Sequence, residues 1–87
     1  MLAMTMAFIL INGEIAAEED VLRELRKIEQ VKEAYVVYGV YDIIVRVEAK
    51  DMEELRSIVT QRIRRIDDVR TTLTMVVAEG SQGQKAS

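Results

Sequence analysis

The sequence predicts an α+β sandwich, a four-stranded antiparallel sheet with two helices on one face and elements in the order β-α-β-β-α-β. Three observations carry that expectation. Short apolar runs of strand character alternate along the chain with stretches of helical period. Gly39 splits the β-rich centre into two strands. Right-handed crossovers fold elements in this order into a split βαβ unit.

Each element follows from its residues. AFILING, Ala7 to Gly13, is a short apolar strand with a ragged start before it. AAEEDVLRELRKIEQ places Val21, Leu22, Leu25 and Ile28 on one face, with acids in the first turn and Arg26 and Lys27 later, so the helix is oriented to suit its dipole. VKEAYVVYG and YDIIVRVEA read as two strands joined near Gly39 by a hairpin or a bent β connection. DMEELRSIVTQRIRRI begins with Asp51 three residues before Glu54, an Asp variant of the capping box, and sets Met52, Leu55, Ile58, Val59, Ile63 and Ile66 on one side. RTTLTMVVAE, Arg70 to Glu79, closes as a β-rich run. This order is the ferredoxin-like arrangement, which hosts many unrelated functions, so function has to come from a site. Residues 1–79 form one domain on this reading, and GSQGQKAS, residues 80–87, is a small polar tail expected to be disordered. Met1, Met4 and Met6 are all candidate starts.

The strands imply a second cover. Met6, Phe8 and Leu10 face one way and Ala7, Ile9 and Ile11 the other, while Leu73, Met75 and Val77 oppose Thr72, Thr74 and Val76. Two helices cover only one face of a sheet that is apolar on both, and the simplest further cover is a second copy by two-fold symmetry. Size agrees: a domain of 87 residues buries only ~60–65% of its unfolded surface, and its core is thin.

Composition removes several classes of function. Without cysteine there are no disulfides, thiol redox chemistry or thiolate metal sites. Without histidine the common zinc, copper and haem ligand sets are missing, as is the usual general base near neutral pH. The acids Glu14, Glu18, Glu19, Asp20, Glu53 and Glu54 sit at helix starts, without the alternating oxygen ligands of a calcium loop, so neither a metal nor a cofactor is expected. Net charge is −3, and the one basic cluster, RIRRI at Arg62 to Ile66, reads as a solvated helix face. Phe8, Tyr35, Tyr38 and Tyr41 lack a surrounding basic-Gly-aromatic run, so no direct contact with nucleic acid is expected. MLAMTMAFILI has no basic leader or cleavage site and is far shorter than the ~20 residues of a membrane span, which points to a cytoplasmic protein with no membrane contact.

The candidate site is Gly39-Val40-Tyr41-Asp42. A carboxylate beside the Ile43 to Val47 run must turn to solvent or meet a partner. One reading is structural: Gly39 makes the turn and Asp42 caps it. The other is chemical. A free amino acid presents an ammonium that seeks an anion and a carboxylate that seeks backbone N–H donors, which a glycine loop can expose. Thr72 and Thr74, two apart on one strand, add hydroxyls from one face.

VKEAYVVYGVYDIIVRVEAKDMEEL followed by IDDVRTTLTMVV resembles the effector-binding, or RAM, domain of the Lrp/AsnC regulators, from Ala7 to about Ala78. The resemblance rests on Gly39-Val40-Tyr41-Asp42 and on Val69, Arg70, Thr72 and Thr74. It implies an amino acid or similar small effector held by Gly39, Val40, Tyr41, Asp42, Thr72 and Thr74, with sites between neighbouring dimers. It further implies homodimers assembled into a ring of about eight or ten chains, and full-length family regulators as partners. Those regulators carry an N-terminal helix-turn-helix that this sequence does not show. The expected role is that of a stand-alone module modulating transcription or amino-acid metabolism. Two alternatives stay open: an ACT-type sensor whose glycine loop would be Asn12-Gly13, and a ligand-free oligomeric adaptor. Enzymes on this fold need an Arg-bearing phosphate loop with a placed Asn, or His or Trp, so catalysis is not expected.

Overall fold

The computed structural model describes residues 4–79, and the tail predicted over 80–87 lies outside the described residues, as does Met1. The chain runs β1 (Thr5–Gly13), α1 (Glu18–Leu25), β2 (Val31–Val36), β3 (Ile43–Ala49), α2 (Met52–Ser57), a π-helical continuation (Ile58–Ile63) and β4 (Val69–Val76). The strands pair antiparallel in the order β2-β3-β1-β4, the expected ferredoxin-like topology.

Alternation along the strands decides what the helices cover. Ala7, Ile9 and Ile11 of β1 and Ile43, Val45 and Val47 of β3 are buried against Val21 and Leu25 of α1 and Leu55, Ile58 and Ile63 of the second helix. Asp51 starts that helix as expected: its carboxylate accepts from the Glu54 N–H at 2.8 Å. Glu54 reaches back to accept from the Lys50 N–H at 2.7 Å, so two otherwise unpaired donors are satisfied reciprocally.

Three elements differ from the sequence expectation. The first α-helix stops at Leu25, and tighter turns, Lys27 N–H to Glu24 O and Ile28 N–H to Leu25 O, carry the chain on and still bury Ile28. The second helix widens to π geometry after Ser57, with Arg64 N–H donating to Val59 O at 2.9 Å. The Thr60 hydroxyl donates to Arg56 O at 2.8 Å inside this stretch, a back-bond that bends helices. The wider turn keeps Ile58, Val59 and Ile63 all against the sheet, whereas Met52 stays 40% exposed, outside the core. Finally, β2 ends at Val36 and β3 begins at Ile43, so the Gly39 region is a loop, 37–42, closed at its base by Val37 N–H to Asp42 O at 2.8 Å.

The other sheet face has no helix. Phe8 and Leu10 are half-buried there, and Leu73 and Met75 pair beside them on β4, each 45% exposed. On the β2–β3 side of the same face Arg46 donates to Glu33 at 3.0 Å and to Glu48, and its guanidinium rests 3.7 Å from the Met6 sulfur.

Candidate functional site

The residue that posed the question in the sequence, Asp42, finds its partner on a neighbouring strand. Asp42 N–H donates to Ile11 O at 2.9 Å, and its Oδ2 accepts from the Gly13 N–H at 3.1 Å. The ladder between β1 and β3 ends at the Ile11–Ile43 pair, two residues before Gly13, so the Gly13 N–H has no strand partner on that side and the carboxylate satisfies it. Asp42 therefore caps the end of β1 rather than its own turn. A Cβ on Gly13 would make a tight contact, 3.1 Å, with Asp68 O, and Glu14 N–H donates to that same carbonyl at 2.8 Å. Asp68 itself adopts a φ of 79° to present it.

Beside this junction lies an open cavity of about 260 Å³, lined by Asn12, Gly13, Asp42, Arg70 and Thr71. Asp42 Oδ1 has no hydrogen-bond partner among the described residues. Arg70 Nε stands 3.7 Å from Glu14 Oε2, with both side chains more than half exposed. Asn12 Nδ2 donates to Thr71 Oγ1 at 3.3 Å. A carboxylate and a guanidinium thus share one concavity, an arrangement that matches the opposite charges of a zwitterion.

The other predicted residues do not line this cavity. Gly39 adopts a φ of 157° in the loop, with nothing within 4 Å of where a Cβ would stand. Val40 is 84% exposed and Tyr41 half-buried. The N–H groups of residues 38–41 donate to no acceptor among the described residues. Thr72 and Thr74 pair with Ile11 and Ile9, so they are half-buried on the helix side of β4, one residue out of phase with Thr71. Sequence reasoning missed Thr71 as a lining residue, raised Asn12-Gly13 only as the loop of the ACT-type alternative, and left Arg70 as part of a motif without a role. The usable signal was the Asn12-Gly13 pair at the end of an apolar strand.

A wider groove, about 680 Å³, separates the two helices, but its Arg23, Arg62 and Arg65 are set among Asp20, Glu24, Asp67 and Asp68, which leaves no dominant charge to select a ligand. Among the described residues no three metal-ligating side chains converge, and no helix is long and apolar enough to cross a membrane.

Comparison with known proteins agrees with this fold. The description "Lrp/AsnC ligand binding domain" matches residues 6–81. An uncharacterized HTH-type transcriptional regulator of Pyrococcus abyssi is 34% identical over 71 residues, 82% of this chain and 45% of that protein. The chain spans about half the length of the curated regulators it matches. A homocitrate synthase of Sulfurisphaera tokodaii is 47% identical over 57 residues, 66% of this chain but 12% of that protein. The crystal structure of a hypothetical protein from Pyrococcus horikoshii superposes with a TM-score of 0.82 at 39% identity, over 88% of this chain and 93% of that one. With the split βαβ sheet, the Gly39 to Asp42 loop at its strand ends and the matched span taken together, the chain belongs to the Lrp/AsnC family of regulators, as its ligand-binding domain.

Proposed function

We propose that this chain is a small-effector module that binds a free amino acid or a similar molecule and passes its occupancy on through assembly. It neither reads DNA itself nor catalyses a reaction. The observation that carries this reading is the Asp42 carboxylate, which keeps one oxygen free beside a loop whose successive N–H groups are unpaired among the described residues. An ammonium and a carboxylate need those two kinds of partner. The comparisons lend support of another sort. The same unit matches half of a helix-turn-helix regulator and a small part of a homocitrate synthase, and sensing is a role that serves both. Gly39, Val40 and Tyr41 supply the loop, and Thr72 and Thr74, on the helix side of β4, are assigned to a portion of the effector that reaches past the strand end. Homodimers through the helix-free face, rings of eight or ten chains, full-length family regulators as partners and a cytoplasmic setting complete the proposal.

A thermal-shift screen with the twenty amino acids finds the best ligand, and calorimetry of wild type and Asp42→Asn then tests the site. Asn retains an oxygen for the Gly13 N–H, so the fold survives, whereas loss of the charged partner weakens binding by ~2–5 kcal/mol. Equal affinities would return Asp42 to a purely structural cap. Light scattering that finds dimers alone, with and without that amino acid, would remove the ring.

A further inference from the structure

The cavity beside Asp42 contains a second charge that the effector reading leaves unused. Arg70, the second residue of β4 and the one its register with β1 skips, lines it together with Asp42, and its nearest carboxylate is that of Glu14. Their 3.7 Å separation is well beyond the ~2.7–2.9 Å of a charge-assisted hydrogen bond, so Glu14 holds the guanidinium only loosely. A guanidinium presents its N–H donors as a planar fork that fits a carboxylate bidentately. The other polar side chains of the cavity, Asn12 and Thr71, are engaged with each other. At about 260 Å³ the space lies under the ~300–1,000 Å³ of sites that enclose a drug-sized ligand, and it suits a head group with the rest of the molecule outside.

We propose that Arg70 receives the α-carboxylate of the amino acid whose ammonium Asp42 receives, and that Glu14 is an internal competitor which the incoming carboxylate displaces. This rests on the effector reading of the same cavity and adds to it a charged partner for the acid group, beside the neutral N–H donors of the loop. The two charges read the part that all α-amino acids share. Selection among side chains is then left to whatever covers the open mouth of the cavity. Glu14 sets the threshold concentration, because each binding event has to replace its weak hold on Arg70.

The test uses the full chain and the strongest amino acid from a thermal-shift panel of the twenty, titrated calorimetrically beside its α-amide and its N-acetyl derivative. Wild type should prefer the acid to the amide by about tenfold or more. Arg70→Gln should lose about that factor for the acid, bind acid and amide alike, and still prefer the free amine to the N-acetyl form. Glu14→Gln should tighten the acid about two- to fivefold, the range set by an exposed ion pair, and leave the amide unchanged. Should Arg70→Gln melt early, Arg70→Lys gives the same contrast, with an acid preference reduced but present. An Arg70→Gln protein that still prefers the acid overturns the role of Arg70, and a Glu14→Gln protein with unchanged acid affinity overturns the competition. Failure of every amino acid to bind wild type would sink the effector reading itself, and this inference with it. Binding by wild type that Arg70→Gln matches sinks this inference alone.

Discussion

On the helix-covered face of the sheet Ile9 and Val45 have no exposed surface, whereas on the opposite face Leu73 and Met75 each keep 45% of theirs. The residue types do not explain that contrast, because Phe8, Leu10, Leu73 and Met75 are as apolar as the residues behind them. What differs is the cover and the treatment of charge. The helix side has no buried polar or charged residue at all among those described. The open side carries the Glu33–Arg46–Glu48 cluster on β2 and β3, while its apolar strip runs along β1 and β4. One face is finished within the chain. The other is divided into an apolar half that calls for a partner and a charged half that limits how the partner can sit.

The largest expected effect breaks the finished face. Ile9→Ala removes buried methyl groups from a site closed on every side and should cost ~2–5 kcal/mol. Because that burial lies within one chain, urea unfolding at two protein concentrations tenfold apart should show the same loss. A loss that grew on dilution would mean that the helix face also depends on a second copy.

The next test acts on the open face and should show the opposite pattern. Leu73→Asp places a charge on a half-exposed strand position, so the isolated fold should change by no more than ~0.5 kcal/mol. Association is the sensitive quantity, since a central apolar contact of an interface is worth ~2 kcal/mol or more, about thirtyfold in dissociation constant. Sedimentation of wild type and variant at micromolar concentration compares them directly. Wild type that is already monomeric there would leave the open face without the cover proposed for it.

The two faces also differ in how far the sequence revealed them. Strand alternation in β1 and the Asp51–Glu54 cap were legible because each depends on neighbours within a turn or a pleat. The split of Leu73 and Met75 from Thr72 and Thr74 was legible for the same reason. Asp42 was legible only as a question. Its partner Gly13 lies 29 positions away, and the two meet because β1 is inserted between β3 and β4 and runs two residues past its last pair with β3, Ile11–Ile43. The pairing of Arg70 with that cavity depends on the same insertion. The π-helical stretch escaped because apolar spacing at Leu55, Ile58, Val59 and Ile63 suits an α-helix equally well, and the choice between them was made by packing on the sheet.

The smallest expected effect sharpens the charged half of the open face. Arg46 hydrogen-bonds to Glu33 and thereby holds its carboxyl below the ordinary 4.5, against a lesser opposing effect of desolvation; Glu33 in turn helps to raise Arg46, which stays charged throughout the accessible range. A carboxylate whose folded pKa is depressed contributes stability that is present above the unfolded value and is lost as pH falls through the folded one. Glu33→Gln should therefore trail wild type by a small, constant margin above about pH 5, and the margin should close as the solution is acidified below 4.5. Exposure of the pair to solvent and salt keeps the effect small, and added salt should shrink it further. Urea midpoints for both proteins between pH 3 and 7 measure the margin. A gap that stayed the same across that range would show that Glu33 stabilises the strand pair by its shape and not by its charge, and the charged half of the face would then differ from the apolar half only in what it excludes.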